Sequence, residues 1–156
     1  MATVIRPEIS EKNKYYIDKH RYYELKHFCL QYNVWKKEYS KCNEAILFTS
    51  QLDRLPSGNI PSDLTAKYAI QKAFYAKRIE MIEIAARDAD DFLYPYILKA
   101  VTEGLSYTHL KTKLNIPCGR DMYYDRYRKF FWLLCQERNW GDKYDIWNEE
   151  TINWKS

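Results

Sequence analysis

A chain of 156 residues with 46% hydrophobic residues can fold as one small domain, and only four glycines and five prolines favour long helices over a turn-rich β protein. No apolar run approaches the roughly 20 residues of a membrane-spanning helix, and residues 1–7 show no secretory signal, which predicts a cytoplasmic protein without a membrane partner. The four cysteines and three histidines lack the paired spacing of a zinc site, so no metal or other cofactor is expected.

The N-terminal part is predicted to contain a flexible lead-in over residues 1–20 and a helical hairpin over residues 21–90. In the first part of the predicted hairpin, before the loop, aromatic and apolar residues recur at helical spacing, and we expect the helix to be interrupted at Asn33. A loop over residues 55–62, rich in Pro, Ser and Gly, then separates this stretch from a second one. The second stripe consists of Tyr68, Gln71, Tyr75, Ile79, Ile82 and Ala86. Two amphipathic helices joined by one loop are expected to pack against each other.

A shorter helix is predicted over residues 93–103. Acidic residues at 88–91 suit a helix N-terminus, Pro95 fits its first turn, and Gly104 ends it. The acidic cluster could instead hold the metal of a nuclease, but helix N-termini collect acids for dipole reasons alone. The sequence contains no glycine-rich phosphate loop and no nucleophile motif, so we do not expect an enzyme.

Residues 104–138 have the pattern of a short helix, a tight turn and a long basic helix. Ser106 is a suitable N-cap for the short helix, and Pro117 stops it and redirects the chain. The long helix has an apolar stripe made of Tyr123, Tyr127, Phe130, Phe131 and Leu134, and this spacing leaves Asp121, Asp125, Arg128, Lys129 and Trp132 on the other side. The predicted fold is therefore all-α, with the N-terminal helical hairpin followed by a C-terminal three-helix helix-turn-helix core over residues 91–138.

The positive charge of the chain is concentrated in this segment. Residues 104–138 contain seven basic and three acidic residues, a net charge of +4, whereas the rest of the chain contains 18 of each. Basic residues that neutralise phosphates release counterions, so this distribution favours a DNA-binding surface. The alternative is an ordinary solvated surface.

The run Ile116-Pro-x-x-Arg-x-x-Tyr-Tyr-x-x-Tyr-Arg-Lys-Phe-Phe-x-Leu-Leu134 resembles the C-terminal signature of the ArpU/RinA-like transcriptional regulators of phages and prophages. Upstream pieces at residues 23–37, 79–83 and 94–104 are similar to the branch of this group from Gram-positive phages, and the resemblance covers roughly residues 20–138. It differs at Cys118-Gly119, where a polar capping residue is usual, and in the tail after residue 138. The resemblance implies a DNA-binding activator of late phage genes with a helix-turn-helix similar to that of sigma factor region 4.

In such a motif, the first turns of the second helix face base edges in the major groove. The residues that we expect to contact bases are Arg120, Asp121, Tyr124, Asp125 and Arg128. Arginine can bind guanine with two hydrogen bonds, and aspartate can accept from cytosine. The residues that we expect to contact phosphates are Ser106, Lys111, Lys113 and Lys129. For Asp125, an ion pair with Lys129 within the helix is the alternative.

The C-terminal tail, residues 139–156, is aromatic, and its Trp140, Trp147 and Trp154 recur every seven residues. Side chains at this spacing nearly align on a helix. The three indoles are therefore expected either to fold back on the protein's own helices or to anchor a partner.

The helical pattern and the charge predict a protein that binds double-stranded DNA, and the resemblance implies a sequence-specific regulator of phage or prophage transcription that is associated with the bacterial nucleoid when bound. Host RNA polymerase and a second copy of the chain are further candidate partners. Two alternatives remain open. One is a DNA-packaging component similar to a small terminase subunit, and the other is an adaptor that binds host polymerase or a defence protein.

Overall fold

The computed structural model describes residues 12–52 and 62–153, with only the backbone described for residue 62 and for residues 140–153. The described residues form helices and no strands, which confirms the all-α prediction. The helices are α1 (Lys19–Leu30), α2 (Tyr32–Leu52), α3 (Ser62–Ala89), α4 (Tyr94–Glu103), α5 (Tyr107–Lys113) and α6 (Arg120–Asn153). None of the helices in these ranges is long and apolar enough to cross a membrane. The loop predicted at residues 55–62 lies almost wholly outside the described ranges.

The first two helices are separated by a single residue. The carboxylate of Asp18 accepts the backbone N–H of His20 at 3.0 Å and starts α1. The α-helical hydrogen-bond pattern of α1 ends at Gln31, whose N–H bonds to the carbonyl of Phe28 at 3.2 Å, three residues back rather than four. The predicted interruption at Asn33 is therefore wrong by two residues, because Asn33 already lies inside α2.

Helices α2 and α3 pack side by side in opposite directions. The hydroxyl of Tyr32 donates to Glu83 at 2.5 Å, near the start of α2 and the end of α3. Ten residues further along α2, Cys42 Sγ lies 3.8 Å from the Oε1 atom of Gln71, which is twelve residues earlier on α3. Because the contact positions rise along one helix while they fall along the other, the pair is antiparallel.

Local chemistry explains how α4 begins and ends. The predicted acidic N-terminus at residues 88–91 differs from the structure, because α3 continues to Ala89 and only residues 90 and 91 of this acidic stretch lie in the connection to α4. Asp90 caps that turn by accepting the N–H groups of Phe92 and Leu93 at 2.9 and 2.8 Å. At the other end Gly104 adopts a φ of 71°, which L-residues other than glycine disfavour.

Buried residues from all six helices form one continuous core. Helix α6 packs mainly against α3 and α1 and less against α4, whereas the sequence pattern predicts that its apolar face meets α4 and α5. Phe130 and Leu134 are fully buried, and the hydroxyls of Tyr22 and Tyr127 lie 2.8 Å apart. The predicted hairpin and C-terminal unit therefore share a core across the boundary that we predicted at residues 90–91.

Both ends of the described chain differ from the predicted divisions. Residues 12–18, part of the lead-in predicted to be flexible, pack on the molecule, since Tyr15 is buried with its ring centroid 5.7 Å from that of Trp132. At the other end, α6 continues without a break through residue 139, where the tail was predicted to begin, and extends over 34 residues, roughly 51 Å. Residues 1–11 and 154–156 lie outside the described ranges.

Candidate nucleic-acid interface

The turn between α5 and α6 is held by contacts from both sides. The Ser106 hydroxyl accepts the N–H of His109 at 3.2 Å, which confirms it as the N-cap of α5. Ile116 is buried, and its N–H bonds to the carbonyl of Leu110 at 3.1 Å. The Tyr107 hydroxyl donates to the carbonyl of Cys118 at 2.8 Å. A turn fixed in this way holds the start of α6 in one position relative to α5.

Three of the predicted DNA contacts are exposed cations close to this turn. Lys111 and Lys113 lie on α5, and Arg120 is the first residue of α6. The guanidinium carbon of Arg120 lies 5.5 Å from the ring centroid of Tyr107, a cation–π distance. Tyr107 and Lys111 are four residues apart on α5 and therefore lie on one side of it. Lys111 and Arg120 thus flank the same side of the turn.

Two further predicted base contacts adjoin this group. Asp121 is exposed beside Arg120 on the first turn of α6. Tyr124 is half-buried, with its ring centroid 6.4 Å from that of Tyr107 and 5.1 Å from that of Tyr123. Its ring is therefore partly committed to the protein's own aromatic cluster.

The predicted base contact Asp125 has a partner within the protein. Its carboxylate accepts from Nη1 of Arg126 at 3.1 Å, rather than from Lys129 as the intrahelical alternative proposed. The Nε atom of Arg126 donates to Asp90 at 2.9 Å. Burial raises the pKa of Asp90, but its two backbone donors and Arg126 outweigh that effect, so the pKa is held below its ordinary value. Local sequence patterns did not predict this cluster, because they indicate Asp90 only as a helix-terminal acid.

Arg128 and Lys129 are half-buried rather than fully exposed as the predicted helix faces imply. The Nε atom of Arg128 is buried and has no hydrogen-bond partner among the described residues. One turn further along α6, Trp132 packs against Tyr15. The N-terminal segment therefore covers part of the α6 face that the helical spacing predicted to contact DNA. No local sequence pattern predicts this contact between Tyr15 and Trp132.

Ion pairs use part of the local positive charge. Arg126 binds Asp90, and Arg138 binds Glu24 at 3.1 Å while its guanidinium lies 4.2 Å from the ring centroid of Phe28. Both partner acids lie outside residues 104–138. Five cations of that segment have no ion pair with a described carboxylate, namely Lys111, Lys113, Arg120, Arg128 and Lys129. The formal excess in this segment therefore overstates the charge that is free for a ligand.

The remaining candidate sites are the tryptophans of the tail and the cysteines. Trp140 and Trp147 lie on the continuous helix α6, but their side chains, like the whole of Trp154, lie outside what the structure describes. All four cysteines are free, and burial raises the pKa of Cys29 and of Cys118. No group of three or more His, Cys, Asp and Glu side chains in the described ranges could hold a metal ion.

No protein-family model, curated protein or solved structure matches this chain. A function can therefore be inferred only from the chain's own residues, above all those of α5 and α6.

Proposed function

We propose that the protein binds duplex DNA sequence-specifically and regulates transcription of phage or prophage genes, with α4, α5 and α6 acting as a helix-turn-helix unit. The observation that carries the proposal is the set of exposed cations, Lys111, Lys113 and Arg120, around a turn fixed by buried contacts. A rigid turn with unpaired cations at the start of a long helix is what major-groove docking requires.

In this mechanism the first turns of α6 enter the major groove. Arg120 contacts a guanine edge, and Asp121 beside it accepts from a cytosine amine. Stacking of Arg120 on Tyr107 reduces the side-chain freedom that binding removes. Lys111 and Lys113 on α5 contact phosphates and set the position of the protein on the duplex.

A binding experiment with the full-length chain tests the proposal. The wild type selects a preferred duplex from a random-sequence pool, and the affinity of Arg120→Ala for that duplex is compared with that of Lys67→Ala, an exposed cation of α3. Arg120→Ala should lose about 1–3 kcal/mol and discriminate less at one base position. Lys67→Ala should bind like the wild type. Equal affinities for all three proteins would contradict the proposal.

A second candidate function is supported by exposed apolar side chains on the α2–α3 pair. Ile70 and Leu47 are 71% and 64% exposed, and Phe48 and Phe74 follow at 61% and 47%. Such side chains favour protein contact, which suits a packaging component that assembles on DNA or an adaptor that binds host polymerase or a defence protein. Sedimentation distinguishes packaging from transcription, because a ring-forming oligomer favours packaging and a monomer or dimer favours transcription. A DNA-binding titration at several salt concentrations identifies the adaptor, because an absence of salt-dependent DNA binding favours it.

A further inference from the structure

The N-terminal segment is fixed at the outer face of α6. The side-chain oxygen of Asn13 accepts the N–H of Tyr15 at 2.9 Å, and its carbonyl accepts the N–H of Tyr16 at 3.1 Å. This tight turn directs Tyr15 into the protein, where it is only 8% exposed and packs against Trp132 of α6. The Asp18 cap then starts α1, so residues 12–18 are held by the contact of Tyr15 with Trp132 and by their direct connection to α1.

Cations from two distant parts of the chain surround this contact. Lys12 and Lys14 are exposed, and the Nζ atom of Lys14 lies 4.8 Å from the ring centroid of Tyr15. On α6, Arg128 and Lys129 precede Trp132 by one helical turn and therefore lie on the same side of the helix. The Tyr15–Trp132 contact thus brings a second basic element beside the outer face of α6.

These four cations are not neutralised within the described part of the protein. None of them forms an ion pair with a described carboxylate. Among the described residues, the acids nearest in sequence to these cations are Asp18 and Asp125, and both are otherwise engaged, since Asp18 caps α1 and Asp125 binds Arg126. A patch of uncompensated charge fits an anionic partner.

We propose that residues 12–14 form a second DNA-contacting element, in which Lys12 and Lys14 bind backbone phosphates at the edge of the groove that α6 enters. This inference rests on the proposed function. Trp132 is twelve residues after Arg120, roughly 18 Å farther along α6 than the first turn that we propose enters the major groove. Lys12 and Lys14 are thus well away from the base edges that Arg120 would contact, and lysine suits phosphate as a compact point charge.

The experiment measures how the affinity for the selected duplex depends on salt. Removing one lysine that binds a phosphate should reduce the slope of the logarithm of the binding constant against the logarithm of the salt concentration by about 0.9. The full-length double variant Lys12→Ala/Lys14→Ala should therefore show a slope shallower by about 1.8 and bind roughly tenfold more weakly near physiological salt. The control Lys67→Ala/Lys77→Ala removes two exposed lysines of α3 and should keep the wild-type slope.

A second pair of variants tests the role of the anchor. Tyr15→Phe keeps the ring that packs on Trp132 and should keep the wild-type slope. Tyr15→Ala removes the ring and should reduce the slope as the double lysine variant does, with a melting curve recorded to show that the domain remains folded. The lysine variants change only exposed side chains, so the proposal remains testable if Tyr15→Ala fails to fold.

The outcomes separate this inference from the proposed function. If Arg120→Ala weakens binding but Lys12→Ala/Lys14→Ala keeps the wild-type slope, the N-terminal contact is wrong and the patch is assigned to an acidic protein partner instead. If the wild type itself binds no duplex in a salt-dependent way, the proposed function is wrong and this inference falls with it. A slope reduced equally by the α3 control would also overturn it, because the effect would then reflect net charge alone.

Discussion

At the scale of single residues, the Asp90 carboxylate joins three parts of the molecule. One oxygen accepts the N–H groups of Phe92 and Leu93, which form the turn before α4, and the other accepts from Arg126 on α6. The side chain is only 13% exposed, so these bonds are largely shielded from water. Hydrogen bonds to a charged acceptor are stronger than hydrogen bonds to a neutral one, and this carboxylate accepts three of them. The position of α6 relative to α4 therefore depends on the ionised form of Asp90.

Replacing Asp90 with asparagine should lower the free energy of unfolding by about 1–2 kcal/mol at pH 7, because the amide keeps an acceptor oxygen but loses the charge that binds Arg126. The pKa of Asp90 is lower in the folded protein than its ordinary value. Its contribution is thus complete above the unfolded-state value, near 4, and is lost as the pH falls through the lower folded-state value. Urea unfolding at several pH values should show the difference between wild type and variant shrinking below about pH 4.

The neighbouring exposed residue Asp91 provides the control for this measurement. Asp91→Asn removes the same charge from the same stretch of chain and should leave the free energy of unfolding within about 0.5 kcal/mol of the wild type. A deficit for Asp90→Asn that stays the same at every pH would contradict the assigned role of the carboxylate.

The structural role of a residue could be predicted from the sequence where its partners are near in sequence, and could not be predicted where its partners are distant. The cap at Ser106 and the helix end at Gly104 each depend on a few adjacent residues, so composition and spacing identified them. Asp90 and Arg126 are 36 residues apart, and nothing in either local pattern indicates the pairing. The count of basic residues in 104–138 therefore included Arg126 among the cations that could bind phosphate.

At the scale of elements, α6 has one face in the core and another that carries the candidate DNA contacts. Phe130 is fully buried, so Phe130→Ala should lower the free energy of unfolding by about 3–5 kcal/mol through the cavity that it leaves. Asp125 is 42% exposed and bound only to its neighbour Arg126, so Asp125→Ala should be nearly neutral for folding. Thermal melting of both variants distinguishes the two faces, and equal melting temperatures would show that they are assigned wrongly.

Helical spacing predicted the buried face of α6 but not the state of its outer face. Tyr123, Phe130 and Phe131 are buried as their recurrence indicates. The same spacing left Trp132 among the outward residues, yet it is half-buried against Tyr15. A helical projection considers one helix at a time, so it cannot include a segment that arrives from the other end of the chain.

At the scale of the whole molecule, the single core links the predicted DNA-contacting unit to the α2–α3 pair. Helix α3 contributes Ile82 and Ala86 to the same core that contains Phe130 of α6. A change that shifts α3 therefore acts directly on the helix that we propose enters the groove. The sequence pattern suggested two units because the acidic residues at 88–91 indicated the start of a new helix, but a break between helices does not determine which helices share a core.

The helix that carries the proposed base contacts also carries the tail, since α6 continues from Arg120 to Asn153 without interruption. Residues 140–153 add roughly 21 Å of helix beyond Asn139, where Arg21 contacts the Asn139 side chain. A helix that continues in one direction cannot turn back on its own first turns. We therefore expect the tail to present its regularly spaced tryptophans to a partner rather than to the DNA-contacting end of the same helix.

Deletion of residues 140–156 tests this expectation, because the shortened chain keeps Asn139 and every described contact of the core. If the tail anchors a partner such as host RNA polymerase, the truncated protein should keep the wild-type melting temperature and DNA affinity but lose activation of a reporter gene placed behind the selected site. A matched full-length variant with alanine at Trp140, Trp147 and Trp154 should lose activation in the same way. A lower melting temperature on truncation would indicate that the tail docks on the protein's own helices. A truncated protein that remains fully stable and fully active would rule out both roles.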